Sequence, residues 1–298
     1  MNHEASIQLS QRYAGSCGRP LAGDRIGGRC GGFTLVELIT VIVITGILAG
    51  VLARFLSEPV RGYLQVASRA TLVDQADLAL RRMAQEVQRA LPNSVRVAPC
   101  GGGQCLEFLS TVDGGMYRAQ MSGGNPADDI LDFIDPLGDS SFDVLGRLRQ
   151  VPTPGNFVVV YNLNAGPTSS NNAYAGGNRA TIAAGSTTDN VLLTAPTPFP
   201  LASPKQRFFV VDTPVSYLCN PVAGGGGTLR RDAGYAITAA QPVDPAQGVL
   251  MSDRVAACAF TYNPGTATRG ALLTLSLTLA DGDEQITLLH QVHVFNAP

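Results

Sequence analysis

Residues 38–53 form an uncharged apolar stretch with a carboxylate, Glu37, at its head. No other feature limits the fold of this chain so strongly. Counted over residues 33–53, a helix rises roughly 31 Å at 1.5 Å per residue, enough to cross the hydrocarbon core of a bilayer. An ionised acid at the centre of a membrane helix costs about 2.5–3.5 kcal/mol, and acids inside spans usually mark function. Glu37 lies one turn in from Phe33, so the pattern points to a partner that forms only after processing or assembly.

The flanks give the segment a direction. Arg12, Arg19, Arg25 and Arg29 outweigh Glu4 and Asp24 ahead of it, which places that end in the cytoplasm and the remainder across the membrane. The plain alternatives are a signal-anchor or a cleaved secretory signal. A secretory signal needs a small-x-small site after the apolar run, and Ala49-Gly50-Val51-Leu52-Ala53 offers only a weak one. A lipoprotein reading fails at Cys30, which follows Arg29 and has the apolar run on its wrong side. Cys17 and Cys30 then stay reduced in the cytoplasm.

Gly32-Phe33-Thr34-Leu35-Val36-Glu37 leads straight into the apolar run. This block resembles the cleavage and methylation motif of type IV prepilins, a small residue followed by Phe, Ser or Thr, Leu, any residue and Glu. The resemblance implies cleavage between Gly32 and Phe33 by a prepilin peptidase and methylation of the new Phe33 amine. It also implies that Glu37 pairs with that amine on an adjacent subunit and sets axial register, because an unpaired buried charge costs several kcal/mol. The implied fold class is α+β, a pilin-like lollipop with a long N-terminal transmembrane helix and a β-rich C-terminal globular head. Its parts are a cytoplasmic leader at 1–32 (long for that family), the transmembrane half of the stem helix at 33–56, its periplasmic half at 57–91, and the head at 95–298. The implied partners are the prepilin peptidase, other major and minor pilins, the pilus assembly platform and the inner membrane.

The helical pattern continues past the apolar run. Leu72, Ala76, Leu80, Met83, Val87 and Leu91 recur at steps of three or four, one apolar stripe. Asp77 and Arg81 are spaced i, i+4 in the favourable order. Pro92 disfavours helical geometry at Leu91, so the helix is expected to stop there. Pro59 and Gly62 are expected to kink or locally melt it. Two unrelated helices joined by a Pro-Gly hinge are the bland alternative. A single stem over residues 33–91 would reach roughly 88 Å if straight.

The rest reads as β structure. With 15% charged residues, 33 Gly and 19 Pro, the composition suits a sheet domain with many turns. Strands are expected at 106–109, 130–134, 157–163, 191–194, 208–211, 233–238, 256–262, 271–279 and 285–295, with surface loops at 165–190 and 224–227. Leu273, Leu275, Leu277 and Leu279 alternate with Thr274, Ser276 and Thr278, and Asp281-Gly282-Asp283 signals a hairpin turn. Cys100, Cys105, Cys219 and Cys258 fall on the exported side, where an even count implies two disulfides with three possible connectivities. The glycines between Cys100 and Cys105 tolerate a tight turn, which leaves Cys219 to join Cys258, worth about 3–4 kcal/mol.

Little in the chain points to chemistry. The 21 basic and 23 acidic residues lack the concentrated basic surface of a nucleic-acid binder, so no nucleic-acid partner is expected. There is no G-x-S-x-G, Walker loop or H-E-x-x-H, and the expected protein is no enzyme and takes no cofactor. His290 and His293 face opposite sides of a strand, and His3 lies in the leader. No His accompanies the cysteines at zinc spacing. The acids Asp281, Asp283 and Glu284 lack the ligand ladder of a calcium loop and read as a solvated turn, so no metal is expected.

Further blocks resemble the MSHA-type pilus biogenesis minor pilin MshO. They are 79–83, 90–97, 105–109, the run Arg207-Phe208-Phe209-Val210-Val211-Asp212-Thr213-Pro214-Val215-Ser216-Tyr217, and 288–294. That branch implies a low-copy subunit that primes assembly or sits near a pilus tip, with a role in cell adhesion. A minor pseudopilin of a type II secretion system is the alternative, and a membrane-tethered periplasmic adhesin or enzyme the second.

Overall fold

A computed structural model describes residues 32–166, 170–265 and 270–296. The leader residues His3, Arg12, Cys17, Arg19, Arg25, Arg29 and Cys30, with Glu4 and Asp24, lie outside the described residues. The architecture is α+β, an N-terminal apolar helix followed by a β-rich head. The chain divides into two compact units, Met1–Glu58 and Pro59–Pro298.

In the first unit, Leu35–Leu56 of helix α1 (Leu35–Val87) is long and apolar enough to cross a membrane. Its large side chains all face outward, from Leu35 to Leu56. Polar hydroxyls on this surface are satisfied locally. Thr40 Oγ1 donates to the Glu37 carbonyl at 2.9 Å and Thr45 Oγ1 to the Val41 carbonyl at 2.6 Å, so neither leaves a bare donor in lipid. Helix α1 continues with Pro59 inside it, so the expected local melting does not occur. Proline removes one N–H and crowds one carbonyl, and the turns on either side keep their own bonds.

In the second unit, Leu72, Ala76, Ala79, Leu80, Met83, Ala84 and Val87 are buried against the sheet. Arg81 and Asp77 meet at 2.7 Å on the exposed face. Glu86 binds Arg231 at 2.8 Å and Arg82 at 3.1 Å. Burial pushes the Glu86 carboxyl up, but its bonds to Arg231 and Arg82 outweigh this and hold it below the usual carboxylate value. The helix ends at Val87 rather than at Leu91. Arg89 and Ala90 bond back only three residues, and the chain then leaves to pair with the sheet. Leu91 N–H donates to the Leu109 carbonyl at 2.8 Å, and Thr111 N–H to the Arg89 carbonyl at 2.9 Å.

The described strands are β1 (Arg96–Cys100), β2 (Gly103–Tyr117), β3 (Asp139–Leu145), β4 (Phe157–Val160), β5 (Arg179–Thr181), β6 (Asn190–Thr197), β7 (Arg207–Asn220), β8 (Gly227–Ala233), β9 (Val249–Asn263), β10 (Ala271–Asp281) and β11 (Glu284–Val294). Their main order is β11-β10-β9-β8-β7-β2-β3-β6, with β1 on β2 and β4 between β5 and β7. All pair antiparallel. One face of the β10–β11 hairpin carries Leu273, Leu275, Leu277 and Leu279 into the core under α1, as the alternation predicts. The hairpin closes from Asp281 to Glu284 with Gly282 at φ 60°, the conformation a two-residue loop needs at its first position. A second core gathers Tyr117, Phe142, Val158, Val191, Phe208 and Val210.

Several expected elements change. Residues 130–134 form no strand. The Asp132 carboxylate accepts from Ile134 N–H at 2.7 Å, and Asp135 from Leu137 N–H at 2.9 Å. Such local bonds compete with a ladder. The 157–163 strand stops at Val160, because Tyr161 adopts φ 51°. The 233–238 strand does not form beyond Ala233, where β8 ends. There the Thr238 and Ala239 carbonyls accept from Arg96 at 3.1 and 2.6 Å. The stretch 165–190 is no simple surface loop. Asn172, Ala173, Tyr174 and Asn178 are buried, and β5 lies within it. Asparagines satisfy backbone groups there: Ala173 N–H donates to Asn162 Oδ1 and Tyr174 N–H to Asn172 Oδ1, each at 2.9 Å.

Cys100 bonds Cys105 and Cys219 bonds Cys258, with Cα separations of 5.6 and 6.6 Å. The second bridge closes a sequence separation of 39 and the first only 5. Chain-entropy arguments give the longer loop more weight. Replacing Cys219 and Cys258 by Ala is expected to cost about 3–4 kcal/mol, against about 2 for Cys100 and Cys105. Urea unfolding under non-reducing conditions checks the order.

A charged pair is buried between β1 and β2. Glu107, with no exposed surface, meets Arg96 at 2.6 Å and accepts from Tyr235 Oη at 2.9 Å. The Arg96 guanidinium also stacks 3.6 Å from the Tyr174 ring centre. Burial holds the Glu107 carboxyl above its usual value, although Arg96 and Tyr235 pull it down. Arg96→Met removes the counter-charge and is expected to cost about 3–5 kcal/mol at neutral pH. A carboxyl raised in the folded state favours folding at low pH and loses that contribution as pH rises through its folded value. The deficit of the variant should therefore shrink on acidification, as paired denaturation curves at neutral and acidic pH would show.

Candidate processing and assembly site

Gly32 and Phe33 precede α1 and lie outside its hydrogen-bond ladder. Phe33 is 80% exposed, and a Cβ built on Gly32 would meet nothing within 4 Å. A peptidase can therefore reach the Gly32–Phe33 amide without opening a helical turn.

Thr34 is what starts the helix. Its Oγ1 accepts from Glu37 N–H at 3.2 Å, and its carbonyl from Leu38 N–H at 3.1 Å. This is the N-cap role, which satisfies one of the donors every helix start leaves open. Thr34-Leu35-Val36-Glu37 also has the T-x-x-E spacing of a capping box. Glu37 falls in the first turn, where a negative charge is favoured by the helix dipole. Among the described residues Glu37 has no ion-pair partner. The sequence reading assigned Glu37 a pairing role and Thr34 none, although the capping spacing was visible.

Residues 28–53 match the family described as Prokaryotic N-terminal methylation motif. This short segment is similar to a prepilin-type N-terminal signal. The match supports the type IV pilin and pseudopilin superfamily, implies processing by a prepilin peptidase and assembly with other pilins, and suggests a structural, non-enzymatic protein. Among the described residues one N-terminal apolar helix is long enough to span a membrane, which fits the single-pass anchor typical of pilins. No curated protein and no solved structure matches the chain.

The other residues singled out in the sequence lie elsewhere. Cys100, Cys105, Cys219 and Cys258 are tied up in the two bridges of the head. His290 and His293 stand on β11 opposite Leu275 and Leu272. Asp281 pairs with Arg254 at 2.7 Å. Among the described residues no cluster of His, Cys, Asp or Glu could hold a metal ion.

The cap can be tested without touching Glu37. Thr34→Val is expected to loosen the first turn by about 1 kcal/mol and Thr34→Ser to leave it intact. Hydrogen exchange at residues 35–38 of the micelle-embedded chain reads the difference.

Proposed function

We propose that this chain is a minor type IV pilin of the MSHA type, similar to MshO, that primes or joins a pilus at or near its tip. The observation that carries the reading is the exposed Gly32-Phe33-Thr34-Leu35-Val36-Glu37 block at the head of the Leu35–Leu56 apolar segment. Residues 1–32 are then a cytoplasmic leader, 33–56 and 57–91 the two halves of the stem, and 95–298 the periplasmic head. The arginine excess of the leader favours this orientation.

On this reading the peptidase cuts between Gly32 and Phe33 and the Phe33 amine is methylated. Glu37 then pairs with the amine of a neighbouring subunit as stems leave lipid for the filament core. An apolar helix surface suits both environments, because packing against other stems offsets the lost lipid contacts. Cys100, Cys105, Cys219 and Cys258 cross-link the head in an oxidising compartment. A large head is awkward inside a repeating shaft, which favours an end position.

Terminal peptide mass spectrometry on the chain expressed with its prepilin peptidase tests the reading. The expected product begins at N-methylated Phe33 and keeps the apolar segment. An uncleaved chain, or a cut beyond the apolar segment, overturns it in favour of a tethered adhesin or enzyme. Glu37→Val is expected to be cleaved normally yet absent from sheared pili. Recovery of the mature native chain only with a type II secretion filament would instead identify a pseudopilin.

A further inference from the structure

A groove of about 500 Å³ opens in the head beside β2, and none of the features above uses it. Arg89, Arg149 and Arg207 line it around an apolar floor that includes Met116, Phe209 and Phe295. Met116 and Phe295 are 45% and 58% exposed. Among the described residues the Arg89 and Arg149 guanidinium groups have no acidic partner, and that of Arg207 lies 5.8 Å from the Phe295 ring centre. The one acid in the lining, Asp113, already accepts from the N–H groups of Gly114 and Arg149, each at 2.8 Å. A surplus of fixed positive charge over exposed apolar surface selects an acidic occupant with an apolar tip.

The same chain presents such a segment. Between Asp128 and Asp139 the acids Asp132 and Asp135 alternate with Ile134 and Leu137, which are 89% and 76% exposed. The turn is held in shape by its own backbone bonds to Asp132 and Asp135, and Asp132 N–H donates to the Asp139 carboxylate. Among the described residues neither Asp132 nor Asp135 meets a cation. Burial, then the nearby charges of Asp132, Asp129 and Asp135, push the Asp139 carboxyl up. The crowding of like charge is relieved when a cationic surface covers the turn.

We propose that the arginine-lined groove receives the 132–137 turn of a second copy of this chain. Each copy then offers one groove and one turn, so the contact closes a dimer if two copies exchange turns and links heads in series if they do not. The contact rests on the head alone and does not depend on the pilin reading.

The test uses the full chain in detergent. A benzophenone amino acid is placed at Leu137 in unlabelled protein, which is mixed with isotope-labelled native chain and irradiated. The expected product is an unlabelled-to-labelled cross-link into the segment holding Met116 or the one holding Phe208 and Phe209, with lower yield at high salt. Arg149→Glu in the labelled chain is expected to cut the yield by about tenfold. Pairing that chain with probe protein carrying Asp135→Arg should restore it. Absence of an interchain cross-link, attachment at other sites, or a yield indifferent to Arg149→Glu overturns the proposal.

Discussion

The head depends on the long antiparallel pairing of β2 with β7. Both strands outlast their neighbours and thread every core. Phe108 and Tyr217 pack under α1, Leu109 and Val211 line a small middle cluster, and Tyr117, Phe208 and Val210 reach the second core. The two register shifts near Thr111 fall where β2 passes from one core to the next. Bulges bend a strand and increase its twist, which lets one pair of strands serve two differently oriented layers. Gly114 and Gly115 lie on the same bend, and a Cβ at either would come within about 3 Å of Phe208.

At the N-terminus a short block meets two demands at once. Gly32 and Phe33 stay exposed ahead of the helix, while the next residue, Thr34, caps it by accepting from Glu37 N–H. The polar atoms needed at a helix start are therefore provided by the chain itself. Among the described residues the Glu37 carboxylate meets no cation, and it stands in the first turn, where the helix dipole favours a negative charge.

Legibility followed periodicity. The 3.6-residue stripe of α1 and the alternating leucines of β10 were visible because each buries one continuous face. The strands β1, β3, β5 and β8 were not, since their sequences mix polar residues at both faces and owe their place to neighbours. Residues 130–134 looked like a strand by composition, and only the reach of the Asp132 and Asp135 side chains to the backbone decides otherwise. The Asn-rich stretch around Asn172 read as a solvated loop for the same reason in reverse. Asparagine is polar in any hydropathy pattern, yet Asn162 and Asn172 are what make a buried irregular backbone tolerable. Although the capping role of Thr34 within it was not drawn, the N-terminal motif was legible because its residues are contiguous. The arginine groove was not, because Arg89, Arg149 and Arg207 are remote in sequence and meet only through the fold.

The bridge between Cys219 and Cys258 encloses all of β8 and the irregular segment that follows it. A protease that nicks this exposed connection cuts the chain without dividing it, since both fragments stay tethered through sulfur. Damage there is silent under non-reducing conditions and becomes visible as two pieces only when a thiol is added.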